Sequence, residues 1–396
     1  MTVAERVLGV VDGMQREIIE LEQALNRIPS VTGEYAEISK FLRAYLEEMG
    51  FKCEFIGKDG KPNVVGRLAG SGGKPRLAMI SHQDTVPAGP GWTVDPFGGE
   101  LREGKIYGRG ATDPNASNVV YLAAARALHK AGVRLKGDLV EAFTVDEEVG
   151  GADGSGLLSA GNHVDVDMII AEGRNNVIWR GYSGHMRFQI VAPGKAAHGN
   201  APWTGDNAIS RMIAAINGLE RYQEELAQQR SRTPGLSYTT LLVGKIAGGV
   251  APNVVPDRCE ISLDVRVVPE HDVDDVEKRI REIFAKVEAT SPKYPFEIRQ
   301  TLKARSTVTP EDHVLVKSLQ RAIKTARGQE VPVVVYHAAG DARFYMYRGI
   351  PALCYGAGDS AKNNIHGADE FVEAKDLVEA TKVLALAAMD LLGVDG

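Results

Sequence analysis

The chain has 396 residues, 44% of them hydrophobic and 25% charged, with a formal net charge of −6. That length exceeds one ordinary hydrophobic core, so two domains are expected. With no run of Lys or Arg, the charge pattern speaks against a nucleic-acid or membrane-surface protein. Cys53, Cys259 and Cys354 lie far apart and form neither a disulfide framework nor a CxxC metal motif. No basic-then-apolar leader opens the sequence, and no apolar stretch reaches membrane-spanning length, so a cytoplasmic protein is expected.

Val7, Val11, Met14, Ile18, Leu21, Leu25 and Ile28 recur at alternating steps of four and three, which predicts one helix ending before Pro29. Ile38, Phe41, Tyr45 and Met49 predict a second, stopped at Gly50. Apolar runs at 77–80, 139–145, 168–171, 333–336 and 352–355 then alternate with helical patterns. That is the pattern of an α/β fold with a mostly parallel sheet and helices on both faces. The stretch from about 181 differs. Strand-like alternation at 185–191, a helical pattern at 206–226, strands at 237–246 and 259–267, a helix at 273–287 and a last strand at 295–299 give the order β-α-β-β-α-β of a ferredoxin-like layer. The expected division is a catalytic domain in two parts, 1–180 and 299–396, interrupted by an inserted α+β domain at 181–298.

Four apolar runs lead to an acid or a His. The first ends in His82-Gln83-Asp84, the second in Asp146-Glu147-Glu148, the third in Glu172; the last is followed, after a Gly-containing loop, by His366. A buried strand ending in His-x-Asp delivers a neutral imidazole to a cleft, with a carboxylate on the same face able to take the other ring N–H. Ligands bind beyond the carboxyl ends of parallel strands, so the four motifs converge on one sheet edge. A surface-acid reading accounts for one such placement, not four. Asp113, in Gly108-Arg109-Gly110-Ala111-Thr112-Asp113-Pro114, is a fifth candidate. The glycines admit close backbone approach, and an Asp–Pro bond makes a cis peptide affordable; an ordinary turn is the alternative.

Taken together, His82-Gln83-Asp84, the segment from Tyr107 to Asp113, Asp146-Glu147-Glu148, Glu172 and His366 resemble the metallopeptidase M20 family of carboxypeptidases, dipeptidases and N-acyl-amino-acid deacylases. The resemblance runs from about residue 20 to the C-terminus, with five ligand positions and a base in the family order. It implies a zinc-peptidase-like catalytic domain with a lid that is also a dimerisation domain, and two divalent ions per chain, usually zinc. Asp113 would bridge the ions; His82 and Glu172 would complete one, Glu148 and His366 the other. Asp84 would orient His82, and Glu147 would be the general base. The resemblance also implies a homodimer through the inserted domain, with His198 of the lid contacting substrate, in the partner's site. Asn253 and Arg266 match lid positions near the substrate, and Arg343 matches a candidate anchor for a substrate carboxylate. Two segments depart from the family pattern. Pro114-Asn115-Ala116 stands where Met-Lys-Gly is common, and Ala338-Ala339-Gly340 where Gly-Gly-Thr is common. Neither touches a ligand position, but both leave the substrate open. His129, His163, His185, His271, His313 and His337 match no motif and read as surface or structural residues.

Elementary chemistry agrees with these roles. Three carboxylates and two imidazoles suit zinc, with manganese or cobalt as alternatives. Of the adjacent Glu147 and Glu148, one can bind metal while the other moves a proton. The expected function is therefore a binuclear metal-dependent amidohydrolase or peptidase acting on a small substrate, an N-acyl amino acid or short peptide with a free carboxylate. The alternatives are a metal-dependent C–N hydrolase, a deaminase or decarbamoylase, acting on a non-peptide compound, and a non-catalytic binding protein that retains the fold. Glu147 beside five ligand positions argues against the last, since a binding module has no use for a base.

Overall fold

The computed structural model describes residues 1–395. It divides into two compact units: Met1–Gly181 with Val308–Val333 and everything from Gly340 onward, and Tyr182–Thr307 with Val334–Ala339.

At the centre of the first unit, the strands Gly137–Thr144, Gly73–His82, Met168–Ala171 and Ala352–Cys354 lie side by side and parallel. Residues 77–82 are all buried, as a strand covered on both faces requires. The hairpin Lys52–Lys58 and Lys61–Leu68 extends the sheet antiparallel to Gly137–Thr144. Its outer strand is largely exposed and polar, so no apolar run announced it. The helices Asn115–Lys130 and Ala374–Leu392 pack against each other and against the strand Gly73–His82. Their contact faces are rich in buried alanine, including Ala123, Ala124, Ala127, Ala380, Ala387 and Ala388, and small side chains let helix axes approach closely. The single helix expected over 7–28 is two, Val3–Gly13 and Gln15–Asn26, joined at Met14. Gly13 ends the first, and glycine is the poorest helix former after proline. The apolar face survives the break: Val7, Val11, Ile18, Leu21 and Leu25 all enter one core.

One residue of this core is out of character. Glu141 sits on a central strand between Gly66 and Met79, fully buried. Neither of its carboxylate oxygens has a hydrogen-bond partner among the described residues. Burial pushes its pKa from 4.5 to about 8. Between those values the native state keeps a proton that the unfolded chain has lost. Stability therefore falls as pH rises from about 4.5 to about 8 and is level above, a loss on the order of 5 kcal/mol. Glu141→Gln is expected to match wild type at pH 5 and exceed it at pH 9. Denaturant titrations at both pH values check this; an unchanged difference between the two proteins would remove the assignment.

The second unit is a four-stranded antiparallel sheet in the order Thr240–Gly248, Arg258–Val267, Gly184–Pro193, Glu297–Ala304. Cys259, Ile261, Leu263, Val265 and Val267 are buried with the helices Ala208–Ala227 and Val273–Glu288, while the residues between them are more exposed. The last strand begins later than expected. Phe296 drops into the core, its ring 4.9 Å from that of Phe284, and the ladder starts at Glu297, paired with Val191. No described helix is long and apolar enough to cross a membrane.

Candidate metal centre

His82 is the last residue of its strand, paired with Thr144, and is 2% exposed. Its Nδ1 is 2.8 Å from the main-chain carbonyl of Asp84 and 3.6 Å from the Asp84 carboxylate. Asp84 thus faces the ring through both its main-chain carbonyl, which is nearer, and its carboxylate. The Asp84 carboxylate also accepts the Thr32 hydroxyl at 2.9 Å and the Glu147 main-chain N–H at 3.2 Å. With Nδ1–H donating to the carbonyl, Nε2 is left as a ligand. It lies 3.1 Å from Asp113 Oδ1 and 2.8 Å from Glu172 Oε2.

A second group forms on the other side of Asp113. His366 Nε2 is 3.0 Å from Glu148 Oε1 and 3.9 Å from Asp113 Oδ2. Asp113 therefore turns one oxygen to each imidazole, and two groups of three donors share it. A tetrahedral ion with bonds of about 2.0–2.2 Å separates its ligand atoms by roughly 3.3–3.6 Å. The four separations bracket that value, so the donor set fits a metal pair in chemistry and in spacing.

The loops that carry these donors are held from behind. Asp146 has φ 62°, left-handed for a residue with a Cβ, and its carboxylate binds the Tyr35 hydroxyl and the Lys61 ammonium. Burial pushes the Glu147 carboxyl well above the usual range; His82 opposes the shift, while Asp341, Glu172 and Asp113 add to it. Burial also opposes ionisation of Asp113, yet Arg174, His82 and His366 hold its carboxyl below the usual range.

Three supporting residues were not singled out from sequence. Arg109 and Glu370 form an ion pair whose side chains are 1% and 0% exposed. Glu370 accepts the N–H groups of Gly110, Thr112 and Asp113 at 3.2, 3.0 and 3.0 Å. Arg109 Nη2 donates to the carbonyls of Ala88, His366 and Gly367 at 3.0, 3.2 and 3.0 Å. One ion pair thus fastens the Asp113 loop to the His366 loop. The third is Arg174, 2.9 Å from Glu172 and 3.1 Å from Asp113. An Arg within four residues of a ligand position was the available signal for Arg109 and Arg174, and spacing alone does not separate it from a surface charge.

Arg343 is buried and donates to the carbonyls of Gly340 at 2.9 Å and Gly150 at 2.7 Å. In the second unit, Gly199 N–H donates to the Asn253 carbonyl at 2.8 Å, so the loops of His198 and Asn253 lie together. His198 Nδ1 accepts the Asn200 N–H at 3.2 Å. Arg266 pairs with Asp264 at 2.7 Å and donates to the His337 carbonyl at 2.9 Å. His185 also binds Asp264, at 2.9 Å, and is structural.

A family model, peptidase family M20/M25/M40, matches residues 78–390. The succinyl-diaminopimelate desuccinylase of Rhodospirillum centenum is 27% identical over 388 residues, 93% of this chain and 96% of that protein. The acetylornithine deacetylase of Myxococcus xanthus is 30% identical over 371 residues, 89% of this chain and 91% of that protein. The crystal structure of a tripeptidase from Staphylococcus aureus superposes with a TM-score of 0.78 at 22% identity, covering 95% and 98% of the two chains, and shares the fold. With the family model spanning most of the sequence and the donor set in place, the chain belongs to peptidase family M20/M25/M40 and is a metal-dependent hydrolase that binds divalent metal.

Proposed function

We propose that the protein hydrolyses the amide bond of an N-acyl amino acid or short peptide with a free carboxylate, using two divalent ions per chain, zinc foremost. One observation carries the reading: two three-donor groups share Asp113, and Glu147 stands next to Glu148 with its main chain fixed by Asp84. The desuccinylase and deacetylase names of the two relatives support removal of an acyl group. In this reading Asp113 would bridge, His82 and Glu172 would complete one ion, and Glu148 and His366 would complete the other. The bound ions supply Lewis acidity and bring the pKa of water toward neutrality. Glu147 takes the proton of the attacking water and returns it to the leaving nitrogen. Asp84 keeps the base and His82 in register, since it touches both.

Both candidate carboxylate anchors stay in this reading: Arg266, part-exposed and paired with Asp264, and Arg343, buried and donating to two carbonyls. We also propose a homodimer through the inserted unit, in which His198 and Asn253 meet the partner's substrate. Exposed Leu242 and Ile246 on the edge strand Thr240–Gly248 support this pairing, and sedimentation as a monomer would remove it.

The test of the function is a mixed pool of N-acetyl and N-succinyl amino acids and dipeptides, each also with its carboxylate amidated. Free acids are expected to be cleaved, chelator to stop cleavage, and amidation to lower kcat/KM by about tenfold or more, the worth of a charge-assisted pair. Turnover of ureido or amino heterocycles with none of the pool cleaved would overturn the reading in favour of non-peptide C–N hydrolysis.

A further inference from the structure

We propose that Asp264 is a positioning residue for the substrate: it holds Arg266 so that the guanidinium meets the substrate's carboxylate with its remaining N–H bonds, and Arg187, bound to the same Asp264, keeps that grip cationic. The inference rests on the reading of Arg266 as a carboxylate anchor. Four residues of the inserted unit carry it. In the ladder between Gly184–Pro193 and Arg258–Val267, His185 lies opposite Arg266 and Arg187 opposite Asp264. Residues directly opposite each other share a face, as do residues two apart on one strand, so all four stand together. The alternate residues Met186, Phe188, Leu263, Val265 and Val267 are buried with the two helices, so the four occupy the face turned away from them.

Asp264 is surrounded by donors. Its Oδ1 accepts the Arg266 Nε–H at 2.7 Å. Its Oδ2 accepts the His185 ring N–H at 2.9 Å and the Arg187 Nε–H at 3.0 Å, with Arg266 Nη2 at 3.4 Å. Arg266 is thus held along its Nε–Nη2 edge, and its Nη1 donates to the His337 carbonyl at 2.9 Å. A guanidinium has five N–H bonds. One on each terminal nitrogen is left uncommitted among the described residues, and a bidentate grip on a carboxylate uses two. The Arg266 side chain is 31% exposed, so a ligand can reach it. An arginine already fixed by its neighbours gives up less rotamer freedom when it binds. Asp264 alone would cancel the charge of Arg266 and weaken its pull on an anion. Arg187 offsets this: two guanidiniums face one carboxylate, which leaves the face net positive. Burial holds the His185 imidazole below its ordinary pKa, so it steadies Asp264 as a neutral donor.

Steady-state kinetics of the full chain with zinc added test this, on the free acid best cleaved in the pool above and on its carboxamide. Asp264→Asn is expected to raise KM for the acid by about tenfold, keep kcat within about threefold, and leave kcat/KM for the amide unchanged, since the amide offers no charge to grip. Arg187→Gln, at an exposed side chain, should raise KM for the acid by about threefold or more and likewise spare the amide. Arg266→Gln should cost the acid at least as much as Asp264→Asn. The double variant should be no worse than Arg266→Gln alone, because Asp264 acts through that side chain. A merely structural Asp264 predicts otherwise: acid and amide would suffer alike, and the losses of the two single variants would add. That result overturns the proposal. So does an Arg266→Gln protein that keeps the wild-type preference for the acid, whether or not the Asp264 variant folds, and it leaves the hydrolase reading standing. So does Arg187→Gln with a wild-type KM. Wild type that cleaves acid and amide equally, or none of the pool, overturns the carboxylate reading and the inference with it.

Discussion

Glu147→Gln is expected to keep its metal and lose roughly 10²–10⁴ in kcat. The amide preserves the shape of the side chain but cannot take a proton. The contact that fixes this residue to Asp84 runs through its main-chain N–H, so the substitution leaves it intact. The neighbouring ligand candidates Glu148 and His366 pair with each other and not with Glu147. Elemental analysis beside steady-state rates across pH checks both halves of the expectation. A variant with near wild-type kcat at every pH would show that the proton moves through another group.

Asp113→Ala is expected to do the reverse and empty the centre. Both three-donor groups contain Asp113, so its loss leaves each position one imidazole and one carboxylate. Two protein donors are fewer than the three that catalytic zinc sites keep, and a fall of about a hundredfold or more in affinity for both ions is expected. The loop itself should hold, because Glu370 grips the main-chain N–H of residue 113 and not its side chain. Circular dichroism matching wild type, with metal content near zero after dialysis, is the expected pair of results. Retention of either ion at wild-type affinity would end the shared-ligand role.

Much of the architecture was legible because parallel strands write themselves as short apolar runs, and because the residues just past the end of each run land at one edge. That rule pointed to His82, to the run Asp146-Glu147-Glu148, to Glu172 and, past a loop, to His366, while the choice of Glu148 within its run and the bridging place of Asp113 came from the family resemblance; the structure brings His82, Asp113, Glu148, Glu172 and His366 into two touching groups. Partner choice over long separations was not legible. Glu370 and Arg109 are 261 residues apart and meet only once the chain has closed. The nearer contact of Asp84 to the His82 ring is its main-chain carbonyl, which residue type says nothing about. The break at Met14 escaped a periodicity count because the apolar face continues through it. The Lys52–Lys58 strand escaped because its residues are those of a solvated edge.

The Arg109–Glu370 pair has a bearing on how the protein lives without metal. It fastens both loops through main-chain groups and ties no ligand side chain, so the loops have a support that does not depend on the ions. Small zinc domains fold only around their ion; a large core and this pair predict that folding here does not wait on loading. Stripping the metal should remove only the mass-action part of stability, which grows with the logarithm of ion concentration over Kd. Chelator-treated protein is therefore expected to keep the circular dichroism of the loaded protein, and loss of that signal on stripping would show that the loops depend on the ions.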